Sequence, residues 1–230
     1  MLNKDIFYYL LSPIMLPIRD GPLKGKMWIA ASGVRFLRGD YEPAQTEAVL
    51  EALRPGDVMH DVGAHHGYYT LLASDAVGDG GLVAAFEPRP VYLRYLRKHL
   101  RINGCANVEV FNVCVGDKSG TCAFDTRYGT GRGRISPKGK LWVEMIRLDD
   151  LVGKGRLPPP NLIKIDVEGA EKLVLDGARE VISRYLPIIV VSIHSKKLFE
   201  QCAKILSDKG YSLRTLFERK SVVEVLAEPG

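Results

Sequence analysis

From about residue 40 onward, short apolar runs alternate with longer segments in which apolar residues recur at helical spacing. The short runs have the length and the branched apolar composition of strands that are buried on both faces. The longer segments place apolar residues three and four positions apart, as do helices that cover a sheet. We predict core strands at 58–62, 82–86, 108–115, 161–166 and 187–193. We predict helices with apolar stripes over 44–53, 69–76, 91–102, 170–182 and 198–206.

The end of the chain has a different pattern. Two further strands are predicted at 211–217 and 221–226, and only three residues join them. They must be antiparallel, because a parallel crossover needs a dozen residues or more. The stretches 121–124 and 141–148 indicate an inserted β-pair around a loop rich in Gly and Arg. The sequence therefore predicts an α/β, doubly wound fold with a mostly parallel sheet, an antiparallel C-terminal hairpin and a β insertion.

The first 39 residues lack this alternation, and we interpret them as an N-terminal cover segment on a main domain that spans residues 40–230. The apolar stretch 6–18 contains two prolines and is shorter than the roughly 20 apolar residues of a spanning helix. Two interpretations remain: a helix that packs on the body or on a partner subunit, and a shallow anchor at a membrane surface. Packing is favoured, because surface anchors usually carry more basic residues than Lys4 and Arg19.

Length and composition narrow the class of protein. The chain has 230 residues, which fits one large domain, and its 46% hydrophobic residues exclude an intrinsically disordered chain. Lys and Arg number 32 against 27 Asp and Glu, and this net charge of +5 permits an anionic partner without requiring one. The four cysteines lack CxxC or zinc-like spacing, so we expect reduced thiols in a cytoplasmic protein.

The ends of the first two core strands carry the signature of a ligand site. Ligands of doubly wound sheets bind beyond the carboxyl ends of the strands, where the strand order reverses. Asp61 and Glu87 lie at two such ends, 87 − 61 = 26 positions apart, and Gly63 and Gly67 shape the intervening turn. A dinucleotide site would need G-x-G-x-x-G, whereas this turn reads D-V-G-A-H-H-G. We therefore predict S-adenosylmethionine, with its ribose on Glu87 and its ammonium group on Asp61.

The stretch from about residue 39 to 195 resembles the FkbM family of S-adenosylmethionine-dependent methyltransferases. The matching stretches are G-D-Y-E-P, P-G-D-V, D-V-G-A-H-H-G-Y-Y-T-L, F-E-P, V-G-D and I-K-I-D-V-E-G-A-E. The resemblance implies a class I methyltransferase (Rossmann-like) fold with a seven-stranded sheet, and methylation of hydroxyls on sugars, lipids or natural products. It also implies a cofactor site formed by Glu42, Asp61, Gly63, Ala64, His65, Gly67, Tyr69, Thr70, Glu87, Pro88, Val115 and Asp166. The chain departs from the family at His65, where Asn is usual, and at Ser192, where Glu is frequent.

Three residues are candidates for the chemistry. Methyl transfer to a hydroxyl needs an aligned acceptor and a group that takes its proton. Asp166 ends the fourth core strand over the middle of the predicted cleft, Glu168 follows it, and His194 ends the fifth strand. We predict that one of these three is the base or orients the acceptor. Glu168 and Glu171 are predicted at the start of the next helix, where acidic residues also favour the macrodipole, and this is the alternative explanation for both.

No metal site is predicted, and a divalent metal at Asp166 with other carboxylates, as in some methyltransferases of the fold that the resemblance implies, is left open as an alternative that the sequence does not show. His65 and His66 are neighbours on a turn, where their side chains diverge, and no third ligand has a suitable spacing.

The acceptor is expected to be a small molecule or a glycan. The loop 127–140 carries five basic residues among four glycines, and we predict that Arg132 and Arg134 hold an anionic group of the acceptor. A solvated surface loop is the alternative. Two other functions remain open: an RNA methyltransferase and a nucleoside-binding scaffold without catalysis. Nucleic acid is not expected, since neither N/D-P-P-Y/F nor a separate RNA-binding module is visible.

Overall fold

The computed structural model describes residues 14–126 and 133–230. Its strands are β1 (Met15–Pro17), β2 (Met27–Ile29), β3 (Val58–Val62), β4 (Leu82–Phe86), β5 (Val108–Phe111), β6 (Cys114–Val115), β7 (Gly120–Asp125), β8 (Arg134–Ile135), β9 (Leu141–Ile146), β10 (Leu162–Ile165), β11 (Ile188–Ile193), β12 (Tyr211–Arg219) and β13 (Val222–Pro229). Its α-helices are α1 (Pro43–Ala52), α2 (Tyr68–Val77), α3 (Pro90–Ile102), α4 (Leu148–Gly153), α5 (Glu171–Asp176), α6 (Arg179–Tyr185) and α7 (Lys196–Ser207).

Seven strands form the central sheet in the order β5–β4–β3–β10–β11–β13–β12. The strands from β5 to β11 are parallel, and β13 lies antiparallel between β11 and β12. The strand order reverses between β3 and β10, so the carboxyl ends of these two strands flank the crevice in which such sheets bind ligands. The predicted fold class is confirmed.

Helices cover both faces of the sheet. One hydrophobic cluster joins α1, α2 and α3 to one face, and a second joins α4 to α7 to the other. Adjacent strand residues contribute to opposite clusters, as Leu162 and Ile163 do, because successive side chains of a strand point to opposite faces. This double burial explains why the core strands are apolar runs rather than alternating ones.

The prediction of one strand at 108–115 is wrong, because two strands occupy this stretch. β5 stays in the central sheet beside β4, whereas β6 pairs in parallel with β9 in a separate four-stranded sheet. Between them the Asn112 amide donates hydrogen bonds to the carbonyls of Glu87 and Pro88, at 3.0 and 3.1 Å. The chain therefore leaves the sheet at Asn112, and the predicted β-pair is part of this larger second sheet.

The prediction of one helix over 170–182 is also wrong. The stretch forms α5 and α6, with a break at Gly177 and Ala178. One carboxylate oxygen of Asp149, in α4, accepts the backbone N–H groups of Glu180 and Val181 at 3.1 and 3.0 Å. A helix that continued through this point would bond those N–H groups to its own carbonyls. The apolar spacing had not indicated α4, which supplies this distant cap.

The described part of the N-terminal segment shares its core with the main domain. Ile18, Leu23 and Trp28 are buried in the cluster of α1–α3, and the Trp28 ring stacks on His99 with 3.9 Å between centroids. Residues 6–13 of the predicted apolar helix lie outside the described residues. The expected helix is not found in the remainder, because 15–17 forms strand β1. Among the described residues, every helix is too short or too polar to span a bilayer.

Candidate active site

A cleft of about 1140 Å³ opens at the carboxyl ends of the central strands. Its wall includes the turn after β3, the end of β4, strand β6, the loop after β10 and the end of β11. The N-terminal segment, α3 and β13 also contribute residues to this wall. The cleft therefore lies at the reversal of strand order, where the sequence predicted a ligand.

The turn after β3 depends on glycine because a side chain at Gly63 would collide with the loop after β10. Gly63 has φ +89°, and a side chain there would place Cβ 1.9 Å from the carbonyl oxygen of Asp166. The missing side chain thus allows the loops after β3 and β10 to touch. Gly67, at φ +91°, is needed in the same way against Leu96, with 2.4 Å to its Cδ1. Gly63 lines the cleft, and Gly67 supports it from behind.

Asp61 presents a buried carboxylate to the cleft. One oxygen accepts the Thr70 hydroxyl at 2.6 Å, and the other, Oδ1, has no hydrogen-bond partner among the described residues. Burial raises the pKa of Asp61, while the nearby Lys164 ammonium opposes this rise. A buried acceptor without a donor suits the ammonium group of the predicted cofactor. Thr70, predicted to touch the cofactor, instead holds Asp61 and does not line the cleft.

Glu87 is held by backbone groups on both sides of its carboxylate. Oε2 accepts the N–H of His65 at 2.9 Å, and Oε1 accepts the N–H of Arg89 at 2.7 Å. Each carboxylate oxygen has a second lone pair, so both remain able to accept a ribose hydroxyl. Burial raises the pKa of Glu87 to about 7 against the effect of these hydrogen bonds.

We expect the affinity for S-adenosylmethionine to fall as the pH drops below about 7. Two ribose hydroxyls favour the ionised carboxylate of Glu87, whose pKa in the cofactor-free protein is about 7. Above that pH the carboxylate is already ionised and the affinity is constant. Below it, binding must displace a proton, which weakens binding by up to about tenfold per pH unit.

Calorimetric titration of the cofactor between about pH 5.5 and 8.5 measures this effect. Glu87→Gln should lose the part of the dependence centred near pH 7, although Asp61, whose pKa shifts in the same direction, still contributes. A wild-type affinity that stays constant across this range would contradict the assignment of Glu87.

The other predicted cofactor residues lie around these two carboxylates. Ala64, His65, Pro88 and Val115 line the cleft, as do Glu42, Tyr69 and Asp166. The Tyr69 hydroxyl donates to Glu42 Oε2 at 3.0 Å, and the buried Lys164 ammonium lies 4.5 Å from the centre of the Tyr69 ring. Burial lowers the pKa of His65 to about 4, so this ring is neutral at physiological pH.

The three candidate catalytic residues come together in one cluster. His194 Nε2 lies 3.6 Å from Asp166 Oδ1 and 3.5 Å from Glu168 Oε2. On its other side, His194 Nδ1 contacts Oε1 of the buried Glu171 at 2.8 Å. Burial would lower the pKa of His194, but the Glu171 hydrogen bond and the three carboxylates raise it to about 9. The cluster therefore favours a positive charge at its centre.

Glu168 lies in the loop after β10 and not in the first turn of a helix. Its backbone has φ +53°, and Gly169 follows at φ +108°, so α5 begins only at Glu171. The macrodipole explanation applies to Glu171 and not to Glu168.

The predicted acceptor-binding arginines are only partly described. Arg132 lies outside the described residues. For Arg134, in β8, the structure describes the backbone, which pairs with Asp125 of β7. Besides Lys164 of β10, four cations that were not predicted from the sequence line the cleft: Arg35, Arg89, Arg94 and Lys98. The first belongs to the N-terminal segment and the others to α3 or its start, so no motif joins them.

Glu224 is a further cleft residue that was not predicted from the sequence. It lies on β13 directly opposite Ser192 of β11 and lines the cleft. Burial, followed by the charges of Glu42 and Asp166, raises its pKa to about 7. Ser192 itself accepts a hydrogen bond from Gln45 at 2.9 Å. Only the antiparallel register of β13 places this carboxylate beside β11.

Comparisons with known proteins agree with this geometry. A family model described as the methyltransferase FkbM domain matches residues 61–213. The hexuronic acid methyltransferase AglP of Haloferax volcanii is 29% identical over 178 residues, which are 76% of this chain and 71% of that protein. The 31-O-demethyl-FK506 methyltransferase FkbM of Streptomyces tacrolimicus is 27% identical, with 62% of this chain and 67% of that protein covered.

Solved structures show the same fold. The methyltransferase FkbM of Methylobacillus flagellatus superposes with a TM-score of 0.56 at 19% identity, over 97% of this chain and 58% of that one. Fibrillarin of Aeropyrum pernix, solved with S-adenosylmethionine, superposes with a TM-score of 0.53 at 15% identity, over 81% of this chain and 76% of that one.

Proposed function

The chain belongs to the FkbM family of methyltransferases, and we propose that this S-adenosylmethionine-dependent enzyme methylates a hydroxyl oxygen of a sugar-type acceptor that carries a negative charge. One observation carries the proposal. The two carboxylates suited to the cofactor, Asp61 and Glu87, line the same cleft as the cluster of Asp166, Glu168 and His194.

The residues of the cleft fit the cofactor. Among the described residues, Oδ1 of Asp61 has no donor, and each carboxylate oxygen of Glu87 accepts one hydrogen bond and keeps a second lone pair. When bound, S-adenosylmethionine supplies a methyl group that its sulfonium centre already activates. The protein therefore has to bind and orient the acceptor, exclude water and take up one proton.

Asp166 is best placed for that proton. Its carbonyl packs on Gly63 of the cofactor turn, and its carboxylate faces His194 of the cluster. Its side chain is 28% exposed, so an acceptor hydroxyl can reach it, and Lys164 lies 3.8 Å from its other oxygen. Glu171 holds the ring of His194 at Nδ1. Nε2 of the same ring faces Asp166 and orients the acceptor. We therefore assign proton acceptance to Asp166 and orientation to His194.

The cations of the cleft support an anionic acceptor. Arg35 stacks over Phe36 and Tyr41, with 4.9 and 4.8 Å to the ring centres, and so stands preformed at the cleft. Arg94 is exposed on α3, where its guanidinium can meet a carboxylate or phosphate. The half-buried rings of Tyr41 and Tyr95, which also line the cleft, suit the apolar face of a sugar. The relative that acts on a hexuronic acid is consistent with such an acceptor.

A matched pair of acceptors tests the proposal. We expect labelled methyl groups to be incorporated into glucuronides and less into the corresponding glucosides, with the modified oxygen identified by mass spectrometry. Arg94→Gln should raise KM for the glucuronide only. Arg97→Gln removes the same charge one turn along α3, outside the cleft, and is the control. Equal turnover of both acceptors would contradict the anionic specificity, and incorporation into RNA alone would contradict the acceptor class.

A further inference from the structure

Three side chains from two separate loops direct potential metal-ligand atoms toward one point. One donor atom from each of Asp166, Glu168 and His194 lies within 4.8 Å of the other two. Oxygen ligands at about 2.1 Å from an ion lie about 3 Å apart when adjacent and about 4.2 Å apart when opposite. The observed distances of 3.5 and 3.6 Å from His194 Nε2 need only a small contraction. We propose that a divalent cation of the Mn²⁺ type binds between these three residues.

The orientation of His194 is that of a metal ligand. The ring's Nδ1 contacts Oε1 of Glu171, a side chain with 0% exposure, so Nε2 is directed to the two carboxylates. A carboxylate behind the far nitrogen of a ligating His fixes the tautomer and the ring plane in metal sites. The Glu171 Oε1 atom is held in turn by the N–H of Gly169 at 2.8 Å. One imidazole with two carboxylates suits first-row divalent ions such as Mn²⁺.

The charges around the cluster are consistent with a cation. Seven carboxylates line the cleft or support it from behind: Glu42, Asp61, Glu87, Asp166, Glu168, Glu171 and Glu224. Lys164 is the cation buried among them, and it lies 3.8 Å from Asp166 Oδ2, which leaves Oδ1 for the cluster. Arg35 and Arg94, which also line the cleft, belong to the N-terminal segment and α3 and not to the loops that carry the cluster. A divalent ion would balance the excess of negative charge on the side of β10, β11 and β13.

The role of the ion in methyl transfer, though not its binding, rests on the proposed function. An ion at this point could coordinate the acceptor hydroxyl and lower its pKa. It would also attract the anionic group of the acceptor, which the surrounding carboxylates would otherwise repel.

Titration of the full chain with Mn²⁺, followed by the electron paramagnetic resonance signal of the free ion, tests the site without acceptor or turnover. We expect one bound ion per chain. Glu168→Gln and His194→Ala should weaken binding at least tenfold, and Glu171→Gln, which leaves all three ligands, should weaken it about 10- to 100-fold. Asp150→Asn is the control, because it removes a carboxylate of similar exposure, 32% against 29% for Glu168, outside the cleft.

Two outcomes would overturn the inference. One is the absence of binding up to about 1 mM Mn²⁺, the weak end of natural divalent sites, while S-adenosylmethionine still binds. The other is equal Mn²⁺ affinity in the wild type and in Glu168→Gln and His194→Ala, which would place the ion elsewhere. Cofactor binding by each variant reports folding. Methyl incorporation into glucuronides tests the proposed function separately, so either idea can fail without the other.

Discussion

Asp166→Asn is expected to lower kcat by about 10²- to 10⁴-fold while the Kd for S-adenosylmethionine stays within a few-fold of the wild type. The asparagine side chain keeps the size and one acceptor oxygen of Asp166 but cannot take up a proton. The backbone carbonyl that packs on Gly63 is unaffected, so the cofactor turn should keep its shape. Single-turnover measurement with labelled cofactor, combined with calorimetry, separates the chemical step from binding.

His194→Ala gives a second measurement of the same cluster. Because we assign orientation to His194, its loss should raise KM for the acceptor as well as lower kcat. Asp150→Asn serves again as control, since Asp150 pairs with Arg147 away from the cleft. Near-normal turnover by both Asp166→Asn and His194→Ala, with cofactor binding intact, would show that the cluster is not catalytic.

The second large effect concerns the two carboxylates assigned to the cofactor. Hydrogen bonds to charged groups contribute about 1.5–3 kcal/mol, which corresponds to about 10- to 150-fold in affinity. We expect Glu87→Gln to weaken S-adenosylmethionine and adenosine alike, because both carry the ribose. Asp61→Asn should weaken S-adenosylmethionine by a similar factor and leave adenosine nearly unchanged, because adenosine has no ammonium group.

Calorimetric titration of both ligands into both variants gives the four affinities needed. Thermal unfolding of each variant supplies the control, since both side chains are buried and a misfolded variant would lose both ligands. If Asp61→Asn weakened adenosine as much as S-adenosylmethionine, the ammonium assignment would be wrong. If Glu87→Gln left adenosine unchanged, the ribose would have to lie elsewhere.

Much of the cofactor side of the cleft could be predicted from local patterns. Asp61 and Glu87 each follow an apolar run, and parallel strands present their carboxyl ends at one edge of the sheet. The spacing of the glycines in D-V-G-A-H-H-G argued against a dinucleotide as the ligand. The resemblance to the FkbM family is confirmed by the family match. The individual site residues stay predictions, although the structure brings most of them to one cleft.

The acceptor side could not be predicted in the same way. Glu224 is separated from the strand of Ser192 by a helix and another strand, and only the antiparallel register places the two side by side. Arg35 and Arg94 meet at one cleft because the N-terminal segment folds across α3. Glu171 was predicted at a helix start, where its charge had a local explanation, yet its principal contact is His194 on another strand.

The sequence by itself determined the class of fold, the antiparallel hairpin and the family, together with Asp61 and Glu87 at two strand ends. These features depend on periodicity and on short connections, which involve residues close together in the chain. Only the tertiary structure decided where the chain leaves the sheet at Asn112, how Asp149 separates α5 from α6, and how His194 meets its three carboxylates. Such contacts join segments that are distant in the chain, and they form only once the two hydrophobic layers have packed against the sheet.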